Sequence, residues 1–245
     1  MKNYMVTMSF RGTNYHGFQR QDGGLKTIQG TVEDGIYRLL GEHTEINGCS
    51  RTDAGVHANE FVFSVMLQSP ITERGIVFGL NGVLPKDIAI TSCKAVGDDF
   101  HARYSCKGKQ YIYLIHNSEI RSPFYEDTVF RSWYPIDDAK LNKACKDFIG
   151  THDFKSFCST DIDKTETVRT VFDFSVERSG DIVKFSVSGD GFLYNMVRIM
   201  VGTLLFINDG KLSCDSIPDI ISALDRTKAG KTVPAHGLYL NKVFY

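Results

Sequence analysis

The sequence predicts an α+β fold made of two halves with similar layered architecture. The chain has 245 residues, a length that suits one large domain or two small ones. Each half shows several strand patterns and about two helix patterns. The helices do not alternate with single strands, which disfavours a doubly wound parallel sheet and favours layered α+β halves. We place the boundary near residues 98–105 and divide the chain into residues 1–100 and 101–245.

Apolar spacing separates strands from helices in the first half. Ile28, Val32 and Ile36 recur at the interval of a helix, and Thr27 is suited to cap it. From residue 61 to residue 67, every second side chain is a large apolar one, which is the period of a strand. The predicted elements are, in order, a strand over 4–10, the helix after Thr27, the strand over 61–68, a helix over 71–84 and a strand over 88–96.

The second half contains one strongly apolar helix among shorter elements. Residues 192–207 predict this helix, which ends near Gly210. Residues 171–176 and 182–187 predict a strand pair around the turn Ser179-Gly180-Asp181. The other predicted elements are strands over 109–115, 129–133 and 238–244, a helix capped by Asp137 or Asp138, and a helix over 216–224.

Composition and charge are those of an ordinary globular protein. Hydrophobic residues make up 42% and charged residues 23% of the chain. The net charge of −1 argues against a protein that coats nucleic acid indiscriminately, although a neutral protein can carry a basic cleft. The six cysteines form no CxxC pair, which disfavours a zinc site and favours reduced thiols. Without a recognisable signal peptide or membrane-length apolar run, a cytoplasmic protein is expected.

The segment CSRTDAGVHANEF, residues 49–61, places a cation, a carboxylate, a glycine and an imidazole close together. These residues are Arg51, Asp53, Gly55 and His57. Loops positioned by strands are favoured sites for chemistry. Taken alone, however, an Asp in a Gly-containing turn is more often a turn former, and a lone His is more often structural. Both interpretations stay open from this segment alone.

Two further segments combine aromatic and basic residues. In KGKQYIY, Tyr111 and Tyr113 share one face of a predicted strand, and Lys107 and Lys109 precede them. Basic residues beside exposed aromatics suit an RNA ligand, whereas the alternative is core packing, which we favour for Tyr113. In GDGFLYNMVR, Arg198 lies on an apolar helix, where a buried cation requires an anionic partner.

The remaining motif, HGLYL at residues 236–240, also suits an ordinary closing core strand.

Several enzyme classes lose support because their signatures are missing from the sequence. There is no phosphate-binding glycine loop, no His-x-x-x-His pair and no Gly-x-Ser-x-Gly elbow. These absences disfavour a nucleotide triphosphatase, a metallohydrolase of that type and an α/β-hydrolase.

Taken together, these segments resemble motifs of the TruA family of tRNA pseudouridine synthases, and the resemblance covers essentially the whole chain. SRTDAGVHA resembles the family's catalytic-aspartate motif, KQYIY its tyrosine motif, GFLYNMVR its Phe-to-Arg helix motif and HGLYL its C-terminal motif. GTNYHGFQRQ, residues 12–21, resembles the N-terminal segment. Five segments in the correct order make the resemblance specific. One departure is Arg11, where the family usually has an acidic residue.

The resemblance implies both a fold and a reaction. The implied fold has two ferredoxin-like halves, the first with the catalytic Asp loop and the second with the Tyr motif and the Arg-bearing helix. Their sheets join around a central RNA-binding cleft, and the protein works as a homodimer. The implied reaction converts uridine to pseudouridine at positions 38, 39 and 40 of the tRNA anticodon stem-loop. It requires no cofactor and no metal.

Asp53 is the residue to which the resemblance assigns catalysis. An ionised carboxylate can attack C1′ of the ribose or C6 of the uracil, or remove a ribose proton, and the sequence does not separate these routes. The resemblance also gives the expected substrate-binding residues. Arg51 is expected to fill the space that the flipped base leaves in the stack, or to hold the phosphate of the flipped nucleotide, and Tyr111 is expected to stack on the flipped uracil. Arg198 is expected beside Asp53, and Leu238 or Tyr239 is expected to close the pocket. His57 is expected to shape the loop or to touch RNA.

Other functions stay open from the sequence. A related synthase that modifies other RNA uridines, a non-catalytic tRNA-binding protein and a small-molecule α+β enzyme are the alternatives. RNA binding at a net charge of −1 requires an uneven charge distribution. We expect most of one basic set to line a cleft: Arg20, Arg51, Arg103, Lys107, Lys109, Lys164 and Arg169. We expect one acidic set to lie elsewhere: Glu33, Asp34, Asp137, Asp138 and Asp219.

Overall fold

A computed structural model describes residues 1–21, 23–159 and 166–245. The strands and helices of this part of the chain are numbered in sequence order. The strands are β1 (Lys2–Phe10), β2 (Asn47–Gly48), β3 (His57–Leu67), β4 (Ile88–Val96), β5 (Gly108–Asn117), β6 (Phe130–Ser132), β7 (Gly150–Asp153), β8 (Val168–Ser179), β9 (Ile182–Gly189) and β10 (Leu238–Phe244). The α-helices are α1 (Ile28–Leu40), α2 (Glu73–Val83), α3 (Asp138–Cys145), α4 (Met196–Asn208) and α5 (Ile217–Ala223).

The chain forms two compact units, and each combines a sheet with helices, so the α+β fold class is confirmed. The first unit contains residues 1–107 together with 239–245, and the second contains residues 108–238. The sequence suggested a division at residues 100/101 with the C-terminal strand in the second half. In the structure β10 pairs in parallel with β3 through Tyr239–His57 and Leu240–Ala58, which brings the chain end into the first unit.

The first unit is a sheet in the order β4-β1-β3-β10 with two helices. β1 pairs antiparallel with both β3 and β4, and β2 adds to β3. Val6, Ile36, Phe63 and Leu80 surround one small internal void, so α1 and α2 cover the same face of the sheet. The Thr27 hydroxyl accepts the Gly30 N–H at 3.2 Å, which confirms the predicted cap of α1.

The second unit is an antiparallel sheet in the order β5-β9-β8-β7, with β6 parallel to β5. Helix α4 is almost entirely buried, as its apolar sequence predicts. Its predicted start at residue 192 is wrong, because the helix begins at Met196. Asn195 has the left-handed conformation, with φ 62° and ψ 6°, and a helix cannot continue through it.

Two other differences from the predicted elements have physical reasons. β3 begins at His57 instead of residue 61, because its first residues pair with Tyr239 and Leu240 far along the chain. β7 was not predicted, since Gly-Thr-His-Asp has no strand pattern of its own and depends on pairing with β8. No helix in the described part of the chain is long and apolar enough to span a membrane.

Candidate active site

Asp53 lies in the connection between β2 and β3, residues 49–56, which we call the Asp53 loop. The backbone carbonyl of Asp53 accepts the N–H of Val56 at 3.2 Å and closes a tight turn. Gly55 takes φ +79° inside that turn, a conformation that favours glycine. The Asp53 side chain is partly exposed and Arg51 is exposed, so both can meet a ligand.

Residues 12–18, which we call the N-terminal brace, support this loop from one side. The Phe18 N–H donates to the Thr52 carbonyl at 3.0 Å. A β-carbon at Gly12 would lie 1.9 Å from the Val56 carbonyl oxygen, and one at Gly17 would lie 2.6 Å from that of Thr52. Only glycine permits such close backbone contact. The brace therefore holds the loop at Thr52, directly before Asp53 in the sequence, and again at Val56, three residues after it.

His57 ties the brace to the start of β3. Its side chain is 0% exposed, and its Nδ1 accepts the N–H of Gly12 at 2.9 Å. Accepting at Nδ1 requires a lone pair there, which places the proton of the neutral ring on Nε2. The ring also packs 4.7 Å from the Tyr239 ring. This geometry favours the first of the two roles expected for His57, that of shaping the loop.

The brace is itself anchored to Asp87, the residue directly before β4. The Tyr15 hydroxyl donates to the Asp87 carboxylate at 2.6 Å. Burial, and then the hydrogen bond and charge of Asp87, raise the pKa of Tyr15 above its ordinary value, so the phenol stays a donor. The Asp87 carbonyl also accepts the N–H of Arg11 at 2.9 Å. Arg11 itself is exposed, so its unusual charge does not enter the brace.

The ion pairs of Arg20, near the end of the N-terminal motif, contradict part of the expected charge distribution. Its guanidinium lies 2.7 Å from the buried Glu33 carboxylate and 3.8 Å from Asp34. Glu33 also accepts hydrogen bonds from the Gln29 amide at 2.9 Å and from the Ile46 N–H at 3.1 Å. The expectation that Glu33 and Asp34 lie away from Arg20 is therefore wrong. A carboxylate buried in the middle of α1 requires a cation, and Arg20 supplies it.

The tyrosine motif lies on β5 in the second unit. Tyr113 is fully buried and its hydroxyl donates to the Pro234 carbonyl at 2.8 Å, which confirms its core role. Burial raises the pKa of Tyr113 above its ordinary value. Tyr111 is also largely buried, and its ring meets that of Phe192 at 5.3 Å in an edge-to-face contact. Phe192 therefore fixes the orientation of the ring that is predicted to face the uracil.

Arg198 lies in the first turn of α4 and is only partly buried. Its Nε donates to the Val233 carbonyl at 2.7 Å, and its Nη1 donates to the Asn195 side-chain oxygen at 2.6 Å. These neutral acceptors orient the guanidinium within the second unit. Leu238 opens β10 and is buried, directly after a short 3-10 turn at Ala235–Gly237.

The other basic residues differ in their surroundings. Arg103 and Lys107 are exposed, and the Arg103 guanidinium lies 5.9 Å from the Tyr104 ring centre. Arg169 donates to the backbone carbonyls of Glu166 at 3.0 Å and Val168 at 2.6 Å. Lys109 is partly buried on β5, and Lys164 lies outside the described residues. A continuous basic cleft stays a prediction.

Two acidic residues of the expected set have structural roles in the second unit. Asp137 caps α3 by accepting the Lys140 N–H at 2.9 Å. Asp138 lies 3.2 Å from the Arg178 guanidinium, which lowers the pKa of Asp138 below its ordinary value. Across residues 1–21, 23–159 and 166–245, no group of three or more His, Cys, Asp or Glu side chains is placed to hold a metal ion.

Comparison with known proteins identifies the family. A family model described as tRNA pseudouridine synthase matches residues 6–105 and 144–245. Proteins named tRNA pseudouridine synthase A are similar over the full length of both chains. The identity is 45% for Acetivibrio thermocellus, 42% for Thermoanaerobacter sp. strain X514 and 43% for Clostridium botulinum. The motifs around Asp53, Tyr111, Arg198 and Leu238 lie inside the matched ranges or directly beside them in the sequence. The chain belongs to the tRNA pseudouridine synthase family.

Proposed function

We propose that this protein isomerises uridine to pseudouridine at positions 38, 39 and 40 of the tRNA anticodon stem-loop, with Asp53 as the essential carboxylate. Family membership supports the reaction, and the names of the full-length relatives support tRNA as the substrate. The target positions rest on the resemblance of the five motifs to the TruA family.

One observation carries the assignment of Asp53: its loop is held rigidly at the backbone. Gly12 and Gly17 contact the carbonyls of Val56 and Thr52, and these two residues lie on either side of Asp53. His57 holds Gly12 in turn. A reacting carboxylate has to be kept within a fraction of an ångström of its working position. A surface turn with no such role does not need this support.

The reaction explains why a carboxylate is sufficient. The N1–C1′ bond breaks, the uracil rotates, and a C5–C1′ bond forms while the proton at C5 is lost and N1 gains one. Nothing is oxidised or reduced. Asp53 attacks C1′ or C6, or removes a ribose proton, and each route requires the ionised side chain. The target nucleotide must first leave the helical stack, which costs a few kcal/mol.

The remaining motif residues are proposed to bind the flipped nucleotide. Arg51, which is exposed, fills the vacated stack or holds the phosphate. Tyr111 contacts the uracil, and Leu238 closes the pocket. Arg198 is proposed to favour the ionised form of the reacting carboxylate, a role that the resemblance implies. The roles of Arg198 and Leu238 rest on the resemblance of their motifs. A homodimer is proposed on the same basis, and light scattering of the purified protein tests it.

Mapping of pseudouridine in tRNA transcripts tests the proposal. Transcripts carrying uridine at only one of positions 38, 39 and 40 are incubated with the protein, and the product is located by chemical labelling and primer extension. Wild-type protein is expected to modify all three. Asp53→Asn keeps the shape but removes the charge, so its activity is expected to fall below about a thousandth of wild type.

Asp181→Asn is the matched control, because Asp181 is exposed and follows Gly180 in the turn between β8 and β9. It should retain full activity. Pseudouridine found only at other positions would replace the anticodon assignment with a different RNA target. tRNA binding without any product would favour the non-catalytic alternative. An active Asp53→Asn variant would remove Asp53 from catalysis.

A further inference from the structure

Residues 230–234, which we call the 230–234 segment, pack backbone on backbone against helix α4 in the second unit. A β-carbon at Gly202 of α4 would lie 1.8 Å from the Lys231 carbonyl oxygen. One at Gly230 would lie 2.5 Å from the Gly202 carbonyl oxygen, and both glycines are buried. Only glycine allows two backbones to approach so closely, so the contact leaves little freedom between the helix and the segment.

Thr203 supplies a polar link at the same contact. Its side chain is 0% exposed. Its hydroxyl donates to the Ile199 carbonyl at 2.8 Å and accepts the Gly230 N–H at 2.8 Å. The first bond stays within the helix, as is common for threonine, but the second joins α4 to a residue 27 positions away. Because a buried N–H without a partner is costly, Thr203 fixes where Gly230 lies along the helix.

The other end of the 230–234 segment holds Arg198 through two hydrogen bonds. Nε of Arg198 donates to the Val233 carbonyl at 2.7 Å, and the Val233 N–H donates to the Arg198 carbonyl at 3.3 Å. Val233 is itself fully buried. The next carbonyl, that of Pro234, accepts the Tyr113 hydroxyl at 2.8 Å. One short stretch of chain therefore joins the Arg-bearing helix to the strand of the tyrosine motif.

We propose that Thr203 is a positioning residue for the reaction and that it acts through the 230–234 segment on the guanidinium of Arg198. The Thr203 hydroxyl sets the position of Gly230, and the segment transmits that position to the Val233 carbonyl, which orients Nε. The inference rests on the proposed function, in which Arg198 favours the ionised form of the reacting carboxylate. When the guanidinium is displaced, that carboxylate takes up a proton at a higher pH, because a cation lowers the pKa of a carboxyl only while it is near.

Thr203→Val tests this role, since it keeps the shape of the side chain and removes the hydroxyl. We expect kcat to fall about tenfold or more, while KM for tRNA stays within about twofold of wild type. The acid limb of the profile of kcat against pH is expected to move to higher pH by about 0.5 unit or more. Thr203→Ser restores the hydroxyl and should return both values to those of wild type. If Thr203→Val does not fold, Thr203→Ala removes the same hydroxyl with a smaller side chain and carries the same expectation.

Ser156→Ala is the matched control, because Ser156 makes the same pair of bonds elsewhere in the second unit. It is 0% exposed, and its hydroxyl donates to the Ile220 carbonyl at 2.6 Å and accepts the Asp225 N–H at 2.8 Å. Both Ser156→Ala and Thr203→Val should melt at a lower temperature than wild type. Assayed below both melting temperatures, Ser156→Ala should keep the kcat and the acid limb of wild type.

Three results would overturn the proposal. The first is a folded Thr203→Val variant whose kcat stays within about threefold of wild type. The second is a fall in kcat with an unmoved acid limb, which would exclude the route through Arg198. The third is an equal loss of kcat in Ser156→Ala, which would assign the loss to lower stability alone. In each case pseudouridine formation by the wild-type protein would leave the proposed function intact, whereas an inactive wild type would refute that function itself.

Discussion

Replacing Gly12 with alanine tests whether the N-terminal brace holds the Asp53 loop in its working position. A β-carbon at position 12 would lie 1.9 Å from the carbonyl oxygen of Val56. Carbon and carbonyl oxygen atoms come no closer than about 3.3 Å in ordinary contacts. The two backbone segments must therefore separate by roughly 1 Å or more in Gly12→Ala.

This separation is expected to affect both stability and rate. The Gly12 N–H moves away from Nδ1 of His57, and leaving such a buried pair unmade costs about 1–3 kcal/mol of the free energy of unfolding. A displacement of about 1 Å at a reacting group lowers the rate by about 100-fold. We therefore expect a folded Gly12→Ala variant with a lower melting temperature and a kcat reduced by about 100-fold.

The assay is release of tritium from tRNA labelled at C5 of uridine, measured over many turnovers at saturating tRNA, together with thermal melts. Gly82→Ala is the matched control, since Gly82 lies in α2 and a β-carbon there would meet nothing within 4 Å. That variant should be stabilised by about 0.5–1 kcal/mol and fully active. A Gly12→Ala variant that melts early but keeps kcat within about threefold of wild type would show that the brace stabilises the fold without positioning Asp53.

Three further changes test other parts of the site. Tyr111→Phe keeps the ring and should retain tRNA affinity, whereas Tyr111→Ala should lose about 1–3 kcal/mol of stacking in a filter-binding assay; equal near-native rates would place Tyr111 outside the pocket. Burial lowers the pKa of His236, so the unfolded chain takes up a proton first as the pH falls below its ordinary value of 6.5. The free energy of unfolding from urea titrations should therefore fall less in His236→Gln than in wild type between about pH 7 and 5, and identical slopes would contradict this. Changing Lys107 and Lys109 together to Glu should weaken tRNA binding and flatten its salt dependence, since each phosphate contact contributes roughly −0.7 to the logarithmic slope; an unchanged slope would exclude both from the RNA surface.

The elements that the sequence predicted well are those whose pattern is local. β4 has the predicted bounds because its apolar and β-branched residues begin soon after Pro85 and end just before Gly97. α1 begins after Thr27 because the cap and the apolar face lie within the same segment. β7 could not be predicted, since its four residues become a strand only through pairing with β8. The start of α4 depends on the left-handed backbone of Asn195, which apolar spacing does not reveal.

The site shows the same division between local pattern and distant contact. Asp53 and Arg51 stood out because unusual residue types lie close together in the sequence. The N-terminal brace that supports Asp53 could not be recognised in the sequence, because the hydrogen bond between Gly12 and His57 joins residues 45 positions apart. The pairing of Arg20 with Glu33 was missed for a related reason. It depends on the burial of one carboxylate of α1, and residue type alone does not show which acid is buried.

The N-terminal motif and the aspartate motif therefore pack together as one structural element. Alone, the Asp53 loop is a short turn closed by one backbone hydrogen bond between Val56 and Asp53. The brace contributes backbone surfaces so close to the loop that no side chain fits between them at Gly12 or Gly17. Side chains can adopt other rotamers when a neighbour moves, whereas backbone packed on backbone cannot. Such packing limits the positions open to Asp53 before any RNA binds, which is what a preorganised reacting carboxylate requires.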